Sequence, residues 1–212
     1  NYILLMSILK ENQNNHIFYL RLKKETLRKS FHILLGISLL LFYFLFGKFY
    51  SIIFYSLLLF LAILSDLIRI RVYISYPLKK LADIIARSYE RSFIGAHTYY
   101  LAGILVTLLL FESNIFIISV IIATIIDPII SLAGLLFNKP KHPYNPEKSV
   151  IGTLTGCIIL FIISYLFLNN IPITFLVVLT LYLLDSLPLP VNDNILYPPV
   201  FAFIIKSLIS LW

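Results

Sequence analysis

The stretch IIATIIDPIISLAGLLF, residues 121–137, sets Asp127 and Pro128 in the middle of an apolar run. An aspartate at the centre of a membrane helix costs about 2.5–3.5 kcal/mol on an insertion scale, so such a residue faces a partner or an aqueous cavity. Asp-Pro also predicts a broken helix. Proline lacks the backbone donor that a continuous helix uses, while Asp127 suits the cap and Pro128 the first position of a second segment. The positive end of that segment would favour an anion or its metal. The plainer reading is a proline kink with Asp127 paired to a lysine for stability.

Four further groups carry chemistry-bearing side chains. KSVIGTLTG, 148–156, offers Lys148 and hydroxyls to phosphate oxygens, although Gly152 and Gly156 also read as a helix-packing face. DSLPLPVNDN, 185–194, brings Asp185, Asp193 and Asn194 close together, a ligand set suited to Mg²⁺ with water and phosphate, or else a polar turn that caps a helix. RKSFH, 28–32, is by itself a basic membrane anchor. Residues 90–103 place Gly95 and His97 at the start of an apolar run. No Walker loop, zinc spacing or dinucleotide fingerprint is present.

The elements that must position these groups follow from composition. Of the 212 residues, 60% are hydrophobic and 13% charged, and the mean hydropathy is +0.94. A soluble domain carries about 45–50% apolar and about 25% charged residues. The apolar residues fall in blocks at 31–46, 49–65, 98–111, 115–137, 150–168, 171–184 and 195–212. These lengths approach the roughly 20 residues that cross a bilayer. The expected fold is an all-α membrane bundle of about seven transmembrane helices, with 1–27 a peripheral cytoplasmic segment and 28–212 one integral domain. The single cysteine, Cys157, excludes an internal disulfide and a cysteine-rich metal site.

Charge fixes the expected orientation. With alternating spans, fifteen of the 17 basic residues fall on one side, leaving Lys48 opposite and Lys206 in the last span. The positive-inside rule then places the N-terminus in the cytoplasm. On that same side, Leu78, Leu81, Ile84 and Ile85 share a helical face, which predicts an amphipathic interfacial helix near 77–92. The opposite connections are very short. All five polar groups therefore gather in the cytoplasmic half of the bundle, with Asp127 about 15 Å below the inner end of its helix.

Taken in order, these groups resemble the membrane lipid-kinase family of dolichol kinase, phytol kinase and CTP-dependent diacylglycerol kinase, which is related to the phosphatidate cytidylyltransferases. The resemblance runs over about 28–200. It rests on Arg28, Lys29 and His32; on Asp66 and Arg69; on Gly95–Gly103; on Asp127, Ser131 and Gly134; on Lys148, Ser149, Gly152 and Gly156; and on Asp185, Asp193, Asn194 and Pro198. Ile126, Pro128 and Ile130 replace the family's small residues around the aspartate, and Thr153 replaces a serine. The length resembles the compact prokaryotic and archaeal members.

The resemblance implies transfer of the CTP γ-phosphoryl group to an isoprenoid alcohol such as dolichol, a polyprenol or geranylgeraniol, with Mg²⁺ as cofactor, at a cytoplasm-facing site of a cell-membrane or endoplasmic-reticulum protein. It implies catalytic roles for Asp127, His32 and Lys148, and phosphate contacts from Arg28, Lys29, Ser131, Lys139, Lys141, Lys148, Ser149, Gly152 and Thr153. Asp127, Asp185, Asp193 and Asn194 are the implied metal ligands, and Asp66, Arg69, Gly95 and His97 complete the pocket. The partners expected are CTP, the lipid alcohol and the bilayer, with no nucleic acid. The rivals are a diacylglycerol kinase, a CDP-lipid synthase and, in another class, a small transporter.

Overall fold

A computed structural model describes residues 2–72 and 93–210, with side chains from residue 15 onward. The expected interfacial helix near 77–92 lies outside the described residues. Six helices make up the described chain: α1 (Tyr2–Arg71), α2 (Ala96–Leu110), α3 (Ser113–Leu136), α4 (Val150–Leu168), α5 (Ile171–Ser186) and α6 (Asp193–Ile209). The all-α expectation is met, but the count is six elements among the described residues rather than seven.

The difference lies in α1. Its two apolar blocks form one helical element bent at Gly47, where φ 74° and ψ 179° suit a residue without Cβ. The bend is a reversal. Tyr55 donates its hydroxyl to the Leu39 carbonyl, and the Phe42 and Phe54 rings stack at 4.1 Å. A straight helix would hold residues 39 and 55 about 24 Å apart. No element boundary falls at the expected division between residues 27 and 28, because α1 runs through it.

Among the described residues, three helical stretches are long and apolar enough to cross a membrane: residues 15–71 of α1, α3 and α4. Helices α2 and α5, at 15 and 16 residues, are apolar but shorter. Large apolar side chains cover the flanks, with Leu166 76% and Phe49 70% exposed. A surface of this kind is compatible with a lipid surround.

At the centre, α3 packs against α1, α4 and α6. Tyr100, Ile104, Phe116, Val120, Ile122, Ile126, Leu160, Leu181 and Phe201 fill the core. The α3–α4 approach depends on Gly152, where an added Cβ would meet Ile130 O at 2.8 Å and Gly134 Cα and N at 2.9 Å. The glycine pattern of KSVIGTLTG therefore includes a packing face.

Helix α3 corrects the expected break. It is one helix from Ser113 to Leu136 with Pro128 inside it, not two segments. Asp127 is not a cap, because its carboxylate is turned to a lysine on α1. The proline removes one backbone bond without ending a helix that neighbours pack from several sides.

Candidate functional site

The floor of the site is an ion pair. Lys29 Nζ donates to Asp127 Oδ2 at 2.5 Å, and both residues are buried. Their meeting joins the N-terminal arm of α1 to the middle of α3. His32, one turn along α1 from Lys29, brings Nε2 to 3.8 Å from the same carboxylate oxygen. Its ring lies 4.0 Å from that of Tyr100, whose hydroxyl is bonded to Thr124 Oγ1 at 2.6 Å. His32 Nε2 is buried without a hydrogen-bond partner. A buried ring nitrogen in that condition can accept or donate a proton once a ligand enters.

Above the pair opens a cavity of about 1000 Å³. It is lined by Arg28, Lys29, Asp127, Ser131, Lys141, Lys148, Ser149, Asp193 and Asn194, all residues expected from the sequence. Groups 166 positions apart in the chain thus share one space. Arg21, Lys24 and Glu25 also line it, as do Asn138, Asn145, Glu147 and Asn192, none of which the sequence reading singled out. Part of the signal was available. Arg21, Lys24, Arg28 and His32 recur at helical spacing along one face of α1, a continuation of RKSFH toward the N-terminus. Six basic side chains face four carboxylates in the lining, so the cavity suits a polyanion.

The second wall is built around Lys148. Its Nζ donates to Asp185 Oδ1 at 2.7 Å and to Asp193 Oδ2 at 2.5 Å. Burial opposes the ammonium charge, but the adjacent Asp193 and Asp185 carboxylates outweigh it and hold Lys148 above its ordinary range. Thr153 Oγ1 donates to Asp185 Oδ2, and Tyr197 OH reaches Asp185 Oδ1 at 3.3 Å. His142 Nε2 meets Thr153 Oγ1 at 2.8 Å. The basic loop is folded back by a bridge between Lys141 and Ser149 and by Val150 N donating to Pro140 O at 2.9 Å. Ser149 caps α4, accepting from Gly152 N at 3.4 Å and donating to the Phe137 carbonyl.

The remaining expected residues stand apart from the cavity. Asp66 accepts from Gly95 N at 2.9 Å, Thr98 Oγ1 at 2.7 Å and Arg69 at 2.6 Å. It satisfies the start of α2 from another helix, the work of an N-cap done at a distance. His97 Nε2 is 4.0 Å from Asp66 Oδ1 and half-exposed. Gly152 and Thr153 sit behind the lining, and Lys139 is not part of it.

The four residues expected to hold Mg²⁺ do not form one ligand set. Among the described residues, no three histidine, cysteine or carboxylate side chains are gathered as metal ligands. Asp185 is fully enclosed, with its oxygens taken by Lys148, Thr153 and Tyr197, and Asp127 is taken by Lys29. Asp193 and Asn194 do fit. Asn194 Nδ2 donates to Asn192 Oδ1 at 2.9 Å, which leaves Asn194 Oδ1 buried without a partner, and both Asp193 and Asn194 belong to the cavity lining. One carboxylate and one amide oxygen suit a hard cation completed by water and phosphate. No protein-family model matches the chain, and no curated protein or solved structure matches it.

Proposed function

We propose that the chain is a CTP-dependent lipid-alcohol kinase of the membrane, acting on an isoprenoid alcohol. The observation that carries this reading is the single cationic cavity, which gathers Arg28, Lys29, Asp127, Lys148, Asp193 and Asn194 from α1, α3, α6 and the loop before α4. Phosphoryl transfer is mostly positioning and charge stabilisation, and the lining supplies both. The apolar flanks support a substrate that arrives through the bilayer. The choice of CTP and of an isoprenoid acceptor rests on the sequence resemblance.

In this reading Arg28, Lys141, Lys148 and the Ser149 cap hold phosphate oxygens. The alcohol oxygen attacks the γ-phosphorus, the bond to the β-phosphate oxygen breaks, and CDP leaves. Asp127, which lines the cavity, would take the hydroxyl proton once the ligand competes for Lys29, while His32 stands behind it at 3.8 Å and outside the lining. Mg²⁺, held by Asp193 and Asn194, would neutralise charge on the phosphates. The same reading puts the cavity on the cytoplasmic side, with the helices crossing the membrane seven times and the two arms of α1 counted separately.

The test incubates purified protein with γ-labelled CTP or ATP, Mg²⁺ and a panel of lipid alcohols that includes diacylglycerol. Label on an isoprenoid alcohol with release of CDP is the expected result. Label on diacylglycerol alone changes the acceptor, and pyrophosphate release with a lipid phosphate identifies a CDP-lipid synthase. No transfer to any lipid ends the kinase reading.

A further inference from the structure

Lys148 is shared between two carboxylates in unlike surroundings. The Asp185 side chain is 0% exposed and that of Asp193 27%. Asp185 is also bound by Thr153 and Tyr197, neither of which lines the cavity, whereas Asp193 does line it. The neighbour of Asp193 in the chain is Asn194, which is 8% exposed and has a buried, partnerless Oδ1. Asn192 fixes that amide by accepting from Asn194 N at 3.0 Å and from Nδ2 at 2.9 Å, so nitrogen faces the cap and oxygen is left over. A buried, partnerless amide oxygen on the residue that follows a cavity-lining carboxylate is a candidate second ligand, and that carboxylate already holds an ammonium.

We propose that Lys148 is the resident counter-cation of a divalent-metal site, displaced from Asp193 when the metal takes Asp193 and Asn194 Oδ1, and kept at the cavity by Asp185. The asymmetry of the two carboxylates sets the direction of exchange. Enclosed Asp185 needs a permanent counter-ion, since an unpaired buried carboxylate is strongly unfavourable. Asp193 is reached from the cavity, and its charge is satisfied equally by a metal. A divalent ion and an ammonium repel each other, so both do not remain in close contact with Asp193. The displaced ammonium stays tethered by Asp185 and turns to whatever anion enters with the metal. Only this last step rests on the kinase reading.

The exchange is measured with Mn²⁺ alone, no nucleotide present, by the loss of the free-ion paramagnetic resonance signal on titration with the purified chain. Lys148→Met removes the competitor and is expected to tighten Mn²⁺ binding about tenfold, a change of about 1.4 kcal/mol. Asn194→Ala is expected to weaken it by a similar factor, and Asp193→Asn to abolish it. A second measurement needs no variant. Acylation of Lys148 by an amine reagent, read by mass spectrometry, is expected to rise several-fold when Mg²⁺ is added and not when NaCl of equal ionic strength is added. If Lys148→Met does not fold, this labelling decides alone. Absence of Mn²⁺ binding, equal affinity in Lys148→Met, or Lys148 labelling indifferent to Mg²⁺ each overturns the proposal. Metal-sensitive labelling without phosphoryl transfer leaves the exchange standing and removes the kinase reading; transfer without metal sensitivity does the reverse.

Discussion

Lys29 and Asp127 meet at 2.5 Å although 98 positions separate them, and the pair closes α1 onto the centre of the bundle. One contact thus serves both packing and the proposed chemistry, and the two are separable by substitution. Asp127→Asn leaves a buried ammonium without its carboxylate. Breaking such a pair costs about 3–5 kcal/mol, while replacing both members by apolar residues is often neutral. The expected result is a lowered unfolding midpoint in detergent for Asp127→Asn, largely restored in Lys29→Met/Asp127→Leu, with phosphoryl transfer lost in both. Wild-type turnover in Asp127→Asn would reduce Asp127 to a structural role.

The glycines at the α3–α4 contact differ in what they tolerate. Gly152→Ala drives a methyl into backbone atoms at 2.8–2.9 Å, whereas Gly134→Ala meets Ser149 Cβ at 3.6 Å, ordinary contact. The first is expected to destabilise by about 1–3 kcal/mol, as overpacking does, and the second by less than about 1 kcal/mol. Thermal unfolding of the two variants side by side checks the order.

Asp66 is expected to matter for folding and not for metal. Asp66→Ala removes the acceptor of Gly95 N and Thr98 Oγ1 and leaves the buried Arg69 without this carboxylate. Loss of a cap costs about 0.5–2 kcal/mol, and loss of the buried charge partner adds to it. Mn²⁺ affinity of the folded fraction should stay at the wild-type value; a fall there would return Asp66 to the cavity chemistry.

The Lys148 ion pairs carry a pH signature. Asp193 and Asp185 raise the folded-state pKa of Lys148 above its ordinary 10.5, so the folded chain binds that proton more tightly than the unfolded chain. The stabilisation is therefore fully present below the ordinary value and lost only as pH rises through the higher folded one. The gap in unfolding midpoint between wild type and Lys148→Gln is expected to stay constant from about pH 7 to about pH 10. A gap that closes within that interval contradicts the ion-pair account.

Sidedness is open to chemical labelling, because the one native cysteine, Cys157, is buried. Tyr144→Cys and Glu112→Cys place thiols at residues that are 74% exposed and exposed respectively, on the loop before α4 and before α3. A membrane-impermeant maleimide should label Glu112→Cys in sealed cells and reach Tyr144→Cys only after lysis. Labelling of both from one side contradicts the proposed orientation.

Much of the bundle was legible in the sequence because apolar block length and block breaks are local properties. The break between residues 46 and 49 coincides with the reversal at Gly47, since glycine there supplies the backbone angle. What the sequence hid is partnership. Asp127 offered two readings, a helix cap or a lysine pair, and only tertiary packing could choose the second. Asp185 looked equivalent to Asp193 as an oxygen ligand, yet one is enclosed by Thr153, Tyr197 and Lys148 while the other borders the cavity. Arg21 and Lys24 lie before the apolar block that begins at residue 31, yet α1 carries them to the cavity.

The distance in chain between Lys29 and Asp127 also orders events during synthesis. The first hairpin, reversed at Gly47, is complete before the aspartate that Lys29 needs has been made. In the membrane reading proposed above, the lysine stays in contact with water or headgroups until α3 arrives. Docking of α3 then draws the lysine in and assembles the floor of the site in the same step. A chain that stalls before α3 lacks both its central packing and the floor of the proposed site.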